Sequence, residues 1–264
     1  MKIAIITSKA NLASITIKDC LLQNYAFVKN NDKHTLTHAI NELELYTLEK
    51  QMLYLENIDK EIDADIFIFP STHTSKAQID ALTVHAVGNF GNADFGGNSG
   101  QIGIAHASLM KCAFRKLWKN PFGIETIQEA THHGPYMEKP GMFIEIGSSE
   151  KMYRDKNIAK FVATVIMETI EEFQKENFKS ATGIGGLHHC PNFSKVMLET
   201  NIAIGHVVAK HALPSLTKDQ LINAMKRTVP KADLVIIDWK GLGEHKEKVR
   251  KLTEGLNVKR TADY

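Results

Sequence analysis

Residues 65–73 read Asp65-Ile66-Phe67-Ile68-Phe69-Pro70-Ser71-Thr72-His73. The first half is a short apolar run of β-branched and aromatic residues, which is typical of a strand in a largely buried sheet. Pro70 ends the run, and polar side chains follow it at once. Ligands in open α/β sheets bind beyond the carboxyl ends of strands, so this stretch predicts both the fold class and the edge of the sheet at which a site lies.

The same pattern recurs along the chain. Short apolar runs alternate with amphipathic stretches, which predicts an α/β fold. The clearest helix is Asp155–Glu176, because its apolar residues from Ile158 to Phe173 fall at helical spacing. The other predicted helices are Leu12–Tyr25, Gly100–Trp118, Lys218–Arg227 and Glu244–Gly255. The predicted strands are Lys2–Thr7, Asp65–Pro70, Ile124–Thr131, Met142–Ile146, Asn201–Val207 and Leu234–Asp238.

Length and composition narrow the class of protein. The 264 residues suffice for one large domain or two small ones, and without a repeat or a low-complexity linker we expect a single domain over residues 1–264. No apolar run could span a bilayer or serve as a signal peptide, so we expect a cytoplasmic protein with no membrane partner, and a monomer. The three cysteines lack CxxC spacing, which argues against a disulfide scaffold or a zinc ribbon.

A net charge of +2 means that any contact with nucleic acid needs a local basic patch. One candidate group lies near the end of the predicted helix Gly100–Trp118, and another lies near the C-terminus. Both are equally consistent with a solvated helix face. The first group is Lys111, Arg115, Lys116 and Lys119, and the second is Lys246, Lys248, Arg250, Lys251, Lys259 and Arg260.

Two His-His pairs each lie beside glycine, His132-His133 before Gly134 and His188-His189 after Gly185-Gly186-Leu187. Neutral imidazole is a common transition-metal ligand and a proton shuttle near neutral pH. Adjacent residues on extended backbone point to opposite faces, so we expect one histidine of each pair to enter a site and the other to pack behind it. Glu129 would then share a face with His133, which predicts a carboxylate–imidazole pair or two metal ligands.

Other polar residues follow predicted strands or lie in glycine-rich loops. Residues 86–100 form a long glycine-rich loop that could expose amide donors to an anion or simply be a surface loop, and its spacing fits neither a P-loop nor a dinucleotide fingerprint. His206 is a candidate at a strand end. Lys240, after Asp238, could bind substrate or form a structural ion pair.

Taken in order, these stretches resemble the archaeal and plant type of D-aminoacyl-tRNA deacylase, the second type of D-tyrosyl-tRNA deacylase. The resemblance covers nearly the whole chain, and the run Glu129-Ala130-Thr131-His132-His133-Gly134-Pro135 is its most specific part. Leu187 and His189 depart from the family pattern, which leaves His188 as the stronger of its pair. The other matching stretches are Ser71-Thr72-His73, Leu82-Thr83-Val84-His85 with Gly88-Asn89, Gly96-Gly97, Ile144–Ser149, Gly185-Gly186 with His188 and Pro191, Gly205-His206, and Asp238–Gly241.

The resemblance implies a fold and an activity. The fold is a three-layer α/β/α class with a central mixed, mostly parallel sheet, similar to the phosphorylase/hydrolase group. The activity is hydrolysis of the ester joining a D-amino acid to the 3′ end of tRNA, which recycles mischarged tRNA. The family is associated with zinc, as one ion or two.

The matching residues then divide into expected roles. As a hypothesis, His133 and His188 bind metal, Glu129 orients or deprotonates water, and amides near Gly96-Gly97 or Gly185-Gly186 hold the oxyanion. Expected catalytic residues are Glu129, His132, His133 and His188. Expected substrate-binding residues are His73, His85, Asn89, Gly96, Gly97, Gly185, Gly186 and Lys240. Expected metal ligands are His85, His133, His188, His206 and Glu145.

Two alternatives stay open at the level of sequence. A zinc-dependent amidohydrolase or exopeptidase acting on small substrates would use the same histidines and carboxylates without a basic surface. A non-catalytic RNA- or nucleotide-binding module would bind without turnover, and it leaves the glycine-flanked histidines unexplained.

Overall fold

The computed structural model describes residues 1–75 and 78–264, and within these ranges the chain forms strands and α-helices in alternation. The strands are β1 (Lys2–Ser8), β2 (Val28–Asn30), β3 (Lys33–His38), β4 (Asn41–Leu48), β5 (Ile66–His73), β6 (Ala81–His85), β7 (Ala105–His106), β8 (Glu125–Gln128), β9 (Gly141–Gly147), β10 (Lys179–Ile184), β11 (Ile202–Val208), β12 (Thr228–Val229), β13 (Leu234–Ile237) and β14 (Val258–Arg260). The helices are α1 (Leu12–Asn24), α2 (Ala107–Leu117), α3 (Glu150–Arg154), α4 (Lys156–Glu172), α5 (Pro191–Glu199), α6 (Lys218–Lys226) and α7 (Lys246–Leu252). Short 3₁₀ helices span Met52–Tyr54, Ile58–Lys60, Phe173–Lys175, Lys210–Ala212, Gly243–His245 and Thr261–Asp263.

The larger sheet has eight strands in the order β2-β3-β4-β1-β5-β9-β6-β8. β5 runs parallel to β9, and its register places Ser71 beside Glu145 and His73 beside Gly147. β6 runs antiparallel to β9 and places Thr83 opposite Glu145. Three neighbouring strands therefore bring His73, Glu145, Thr83 and His85 to one part of the sheet.

The second sheet has four strands in the order β11-β10-β13-β14, and all of its pairs are parallel. β7 and β12 form a separate short parallel pair. Eight of the eleven strand pairs among the described residues are parallel. The predicted α/β class with a mixed, mostly parallel sheet is therefore confirmed.

The main apolar core joins the two larger sheets. It contains Ile5 of β1, Leu109 of α2, Val162 of α4 and Ile204 of β11, all of them without exposed surface. The opposite face of the eight-stranded sheet packs Phe67, Phe69 and Phe143 against the segment that carries the first two 3₁₀ helices. Helices and turns thus cover both faces of this sheet, as the buried strand sequences require.

Several predicted elements differ in their bounds. α2 begins at Ala107 and not at Gly100, because His106 caps the helix by accepting from the Leu109 amide at 3.3 Å and residues Ala105–His106 pair with β12. β8 ends at Gln128, earlier than the predicted Thr131. Strands β2–β4, β6, β10, β12 and β14 and helices α3 and α5 were not predicted from the sequence, and β7 falls within the predicted helix Gly100–Trp118. None of the described helices is long and apolar enough to cross a membrane.

Candidate active site

Two buried carboxylates and six imidazoles converge where the strands of the two larger sheets end. His73 closes β5, His85 closes β6, and Glu145 lies on β9 between these strands. Glu129, His132 and His133 follow β8, and His188 and His189 follow β10. Part of this cluster lines a cavity of about 520 Å³, which we call the first cavity. Its lining includes Asn11, Met52, Leu53, Ser71, Thr72, His73, Phe95, His132, His133, Glu145 and His188.

The segment after β8 is held between the two sheets by backbone hydrogen bonds. The Glu129 amide donates to the carbonyl of Val84 at 3.0 Å, and the Thr131 amide donates to Val207 at 3.0 Å. Between them, the Ala130 amide donates to the carbonyl of His188 at 2.9 Å. These bonds place Glu129 beside the His188 loop and fix the position of the carboxylate in the fold.

Glu129 is the buried anion at the centre of the cluster, with 1% of its surface exposed. Its Oε1 lies 2.8 Å from Nε2 of His188 and 3.8 Å from Nε2 of His189. Its Oε2 lies 3.3 Å from Nδ1 of His73. Burial alone would raise the pKa of this carboxyl, but the bonds from His188 and His73 outweigh burial and hold the pKa well below its ordinary value. Glu129 is therefore ionised.

Glu145 is a second buried carboxylate on the neighbouring strand. Its Oε2 lies 3.6 Å from Nδ1 of His73 and 3.8 Å from Nε2 of His85, and it accepts from the Thr83 hydroxyl at 3.4 Å. Burial opposes ionisation of Glu145, but bonding to His73 and His85 lowers its pKa to about 2. Against the effect of burial, Glu129 and then Glu145 raise the pKa of His73 to about 10, and Glu145 raises that of His85. Two anions here attract positive charge.

Three imidazoles of the cluster share one orientation. Nδ1 of His132 lies 2.8 Å from the carbonyl oxygen of Ala130, Nδ1 of His133 lies 2.6 Å from that of Gly134, and Nδ1 of His85 lies 3.2 Å from that of Ala86. A carbonyl only accepts, so each Nδ1 carries a proton, and in a neutral ring Nε2 then keeps a lone pair. Burial lowers the pKa of His132 well below its ordinary value and that of His133 to about 4, which leaves both rings neutral.

Both histidines of each pair lie at the site, which corrects the prediction that one would pack behind. The chain is not extended at His133, whose φ is +45°, so strand alternation does not apply. The ring centroids of His132 and His133 are 4.3 Å apart, and those of His132 and His188 are also 4.3 Å apart. The ring centroids of His189 and His73 are 5.4 Å apart, so His189 belongs to the cluster as well as His188.

Four groups of residues have the donor spacing of a metal site. Ligand atoms of His85, His132 and His133 lie within 4.8 Å of one another, as do those of His73, Glu129 and His189. The other two groups are Glu129, His132 and His188, and His85, Glu129 and Glu145, which contain the expected ligands His188 and Glu145. Metal-binding histidines commonly donate their second N–H to a carbonyl, as the first group does. Nε2 of His85 and Nε2 of His73 are buried and have no hydrogen-bond partner among the described residues. Imidazole and carboxylate donors in this arrangement fit Zn²⁺.

His206, expected as a metal ligand, lies apart from these groups. It is fully buried, with Nε2 3.2 Å from the carbonyl oxygen of Gly103 and Nδ1 3.1 Å from the Thr131 hydroxyl. Thr131 in turn accepts from the Val207 amide, so its hydroxyl proton is directed to Nδ1. Both ring nitrogens are thus used within the fold, and His206 positions the segment that carries His132 and His133.

Two of the four glycine amides expected near an oxyanion, those of Gly97 and Gly185, are engaged elsewhere. The Gly97 amide donates to Glu56 at 2.5 Å, and the Gly185 amide donates to the carbonyl of Val208 at 2.9 Å. Gly186 has a φ of +81°, which favours glycine, and a Cβ there would make only an ordinary contact with the Asp238 carboxylate at 3.4 Å. Asn89 is buried and donates to the carbonyl of Gly96 at 2.9 Å. Lys240 is exposed on the turn after β13 and does not line the first cavity.

Several wall residues of the first cavity were missed by the sequence analysis. Asn11 caps α1 and donates to the hydroxyls of Ser71 and Thr72, both at 3.0 Å. Met52 and Leu53 belong to a 3₁₀ helix that packs under β1, and nothing in their local sequence marks them. Ser71 and Thr72 directly follow the predicted strand Asp65–Pro70, and this position could have marked them as candidate site residues.

Two lysines of the first basic group, Lys111 and Lys116, are engaged within the fold, whereas Arg115 and Lys119 are exposed. Lys111 is fully buried and donates to the carbonyls of Met197, Thr200 and Ile202 at 2.7, 2.7 and 2.8 Å. Lys116 pairs with Glu172 at 2.7 Å and with Glu168 at 3.2 Å. In the second group Arg260 lies 4.4 Å from the centroid of the Trp239 ring and Arg250 lies 5.7 Å from it.

Buried ionised carboxylates and clustered imidazoles at the strand ends of an α/β fold are typical of an enzyme that works by acid–base or metal-assisted chemistry. The family model of D-aminoacyl-tRNA deacylases matches residues 60–261. This chain therefore belongs to the D-aminoacyl-tRNA deacylase family.

Individual relatives agree with this family assignment. The D-aminoacyl-tRNA deacylase of Thermococcus kodakarensis is 36% identical over 96% of this chain and 97% of its own length. That of Pyrococcus furiosus is 34% identical over the same shares. The crystal structure of a conserved protein of unknown function, AF0625, has a TM-score of 0.88 and 30% identity, covering 100% of this chain and 96% of that one. The resemblance in the sequence is thus confirmed, and the two alternative classes gain no support.

Proposed function

We propose that this protein hydrolyses the ester bond between a D-amino acid and the 3′ end of tRNA, releasing the free D-amino acid and the tRNA. The observation that carries this proposal is the close approach of Nε2 of His188 to Oε1 of Glu129, 2.8 Å, at the edge of the first cavity. Glu129 is buried, whereas 41% of the His188 side chain is exposed. An ionised carboxylate thus holds an imidazole that substrate and water can reach.

The pair fits a general-base role. In this role the neutral His188 ring carries its proton on Nε2, beside the Glu129 carboxylate, which leaves Nδ1 with a lone pair. His188 can then take a proton from a water molecule as the water oxygen adds to the ester carbonyl. The carbon–oxygen bond to the ribose breaks next, and the ribose oxygen leaves with that proton. An aminoacyl ester is already activated, so orientation of one water and one proton acceptor supports turnover.

We propose zinc as the cofactor, held by Nε2 atoms of His85, His132 and His133, with His73, Glu129 and His189 as a second group. Support comes from the donor set and from the buried, unpartnered Nε2 atoms of His73 and His85. A bound Zn²⁺ would polarise the ester carbonyl. Glu129 and Glu145 would favour any cation at this place, because both are ionised and lie in a buried environment.

The first cavity suits an amino-acid side chain of variable size. Met52, Leu53 and Phe95 supply apolar surface, and Asn11, Ser71 and Thr72 supply polar atoms. Part of the wall is rigid, because Gly96 and Gly134 pack so closely on the Leu53 backbone that neither leaves room for a Cβ. A rigid wall rejects one enantiomer by clash and so supports selection of D-amino acids.

The test is deacylation of matched D- and L-tyrosyl-tRNA by the purified protein, with and without a zinc chelator. We expect hydrolysis of the D-form only, and loss of activity on chelation that added zinc restores. Equal hydrolysis of both forms, or of neither, would overturn the proposal. Activity that persists through chelation would overturn the zinc requirement alone.

A further inference from the structure

A second cavity of about 340 Å³ lies on the other side of His132. Its lining is mostly polar and includes Asn89, Gly91, Asn92, Asp94, His211 and Ser215. His132 lines this second cavity as well as the first, and it is the residue whose ring adjoins both His133 and His188. The His132 ring is therefore shared by the walls of the two cavities and lies beside the proposed proton acceptor, His188.

We propose that the second cavity binds the terminal adenosine of the tRNA while the first cavity holds the amino acid. This proposal rests on the proposed function, since it assigns the two parts of that substrate to the two cavities. An aminoacyl ester joins an acyl group and a ribose through one oxygen atom, so cleavage at His132 requires acyl space on one side of this ring and nucleoside space on the other.

The chemistry of the second cavity suits a purine ribonucleoside. Amide groups such as those of Asn89 and Asn92 can pair with the donor and acceptor atoms of an adenine edge. The Asp94 carboxylate can accept from ribose hydroxyls, and the imidazole ring of His211 can stack on a base. The first cavity differs, because Met52, Leu53 and Phe95 give it apolar surface. The volume of the second cavity also lies in the range of ~300–1,000 Å³ that is usual for small ligands.

Lysine residues lie near the second cavity, on the side toward which the rest of the tRNA must extend. Lys248 donates to the carbonyl of Pro214 at 2.6 Å, one residue before Ser215 of the lining. Lys210 directly precedes His211. At the first cavity, Lys9 is paired with Glu49 at 2.7 Å, and Glu56 lies behind the Gly96-Gly97 wall. The phosphates that precede the terminal adenosine thus meet ammonium groups beside the second cavity.

Gly91 offers a direct test, because its φ is not in the left-handed region and a Cβ there would meet nothing nearer than the Ser215 hydroxyl at 4.0 Å. Gly91→Leu should fill the second cavity without straining the backbone. The measurement is kcat/KM for D-tyrosyl-tRNA divided by kcat/KM for D-tyrosine methyl ester, which lacks the nucleoside. We expect this ratio to fall by about 10-fold or more, mainly through KM for the tRNA. Gly91→Ala is the control, because it removes the glycine without filling the cavity.

An unchanged ratio in a folded Gly91→Leu protein, with the wild type active on D-tyrosyl-tRNA, overturns the assignment of the second cavity. A wild type inactive on D-tyrosyl-tRNA overturns the proposed function instead. Adenosine itself provides a measurement that needs no variant. We expect competitive inhibition of D-tyrosyl-tRNA hydrolysis by adenosine in the wild type, weakened in Ser215→Trp, and inhibition equal in both proteins contradicts the proposal.

Discussion

The Nε2 atom of His188 lies 2.8 Å from Oε1 of Glu129, although the two residues belong to segments that follow strands of different sheets. The backbone bond from the Ala130 amide to the carbonyl of His188, 2.9 Å long, fixes this relationship. Glu129 is buried and ionised, and His188 reaches the cavity. The junction of the two sheets is therefore the structural basis of the site.

Replacing Glu129 by Gln tests this relationship. The Glu129→Gln variant would keep the shape of the side chain but not its charge, so His188 would lose the anion that fixes its tautomer. We expect kcat for D-tyrosyl-tRNA hydrolysis to fall by about 10²-fold or more, with a much smaller change in KM. The control is Glu125→Gln, since Glu125 is exposed at the far end of β8. Full activity of Glu129→Gln would remove the carboxylate from the mechanism.

Replacing His133 by Ala tests the metal proposal without an activity assay. The Nε2 atoms of His85, His132 and His133 converge, so loss of one should weaken zinc binding sharply. The measurement is zinc per chain after dialysis, by elemental analysis. We expect His133→Ala to retain less zinc than the wild type and His245→Ala to retain the same amount, because His245 lies at the start of α7 outside all four candidate groups. Equal zinc content in all three proteins would contradict this ligand set.

The sequence identified most residues of the candidate site but not their arrangement. Glu129, His132, His133 and His188 were recognisable because strand ends, glycine and a specific run of residues marked them. The sequence did not show that both histidines of each pair lie at the site, because this depends on the positive φ of His133 and on hydrogen bonds between the two sheets. Met52 and Leu53 reach the cavity from a distant 3₁₀ helix, a placement that only tertiary packing determines.

Lys111 shows how a charged residue can mislead a sequence-based prediction. Its ammonium group has three donors and meets three carbonyls at the end of α5 and the start of β11. Lys111→Met would leave these carbonyls without a partner, so we expect the free energy of unfolding to fall by about 3 kcal/mol. Urea denaturation measures this. The exposed Lys119→Met should differ from the wild type by no more than about 0.5 kcal/mol. Equal stability of the two variants would show that the buried bonds contribute little.

Acid should destabilise the protein through His206. Burial lowers the pKa of His206 from 6.5 to about 4 in the folded protein, so between these pH values the unfolded chain binds more protons than the folded one. Stability from this group is therefore present above pH 6.5 and is lost as the pH falls to 4, by about 3 kcal/mol. His206→Gln removes the titration, so its free energy of unfolding should depend less steeply on pH in this range. Parallel pH profiles would contradict the prediction.

Salt dependence distinguishes the two sides of the site. If the tRNA leaves past the second cavity, Lys248 lies near its phosphates, whereas Lys9 beside the first cavity does not. Each lost phosphate contact lowers the slope of log affinity against log salt by about 0.7 for a single strand. We therefore expect Lys248→Ala to weaken binding of D-tyrosyl-tRNA and to lower this slope by about 0.7, with Lys9→Ala unchanged. The measurement is binding at several salt concentrations. It uses each lysine variant combined with Glu129→Gln, so that the ester is not hydrolysed, and it gives the slope for both lysines. A reduced slope in Lys9→Ala and none in Lys248→Ala would place the tRNA on the opposite side of His132.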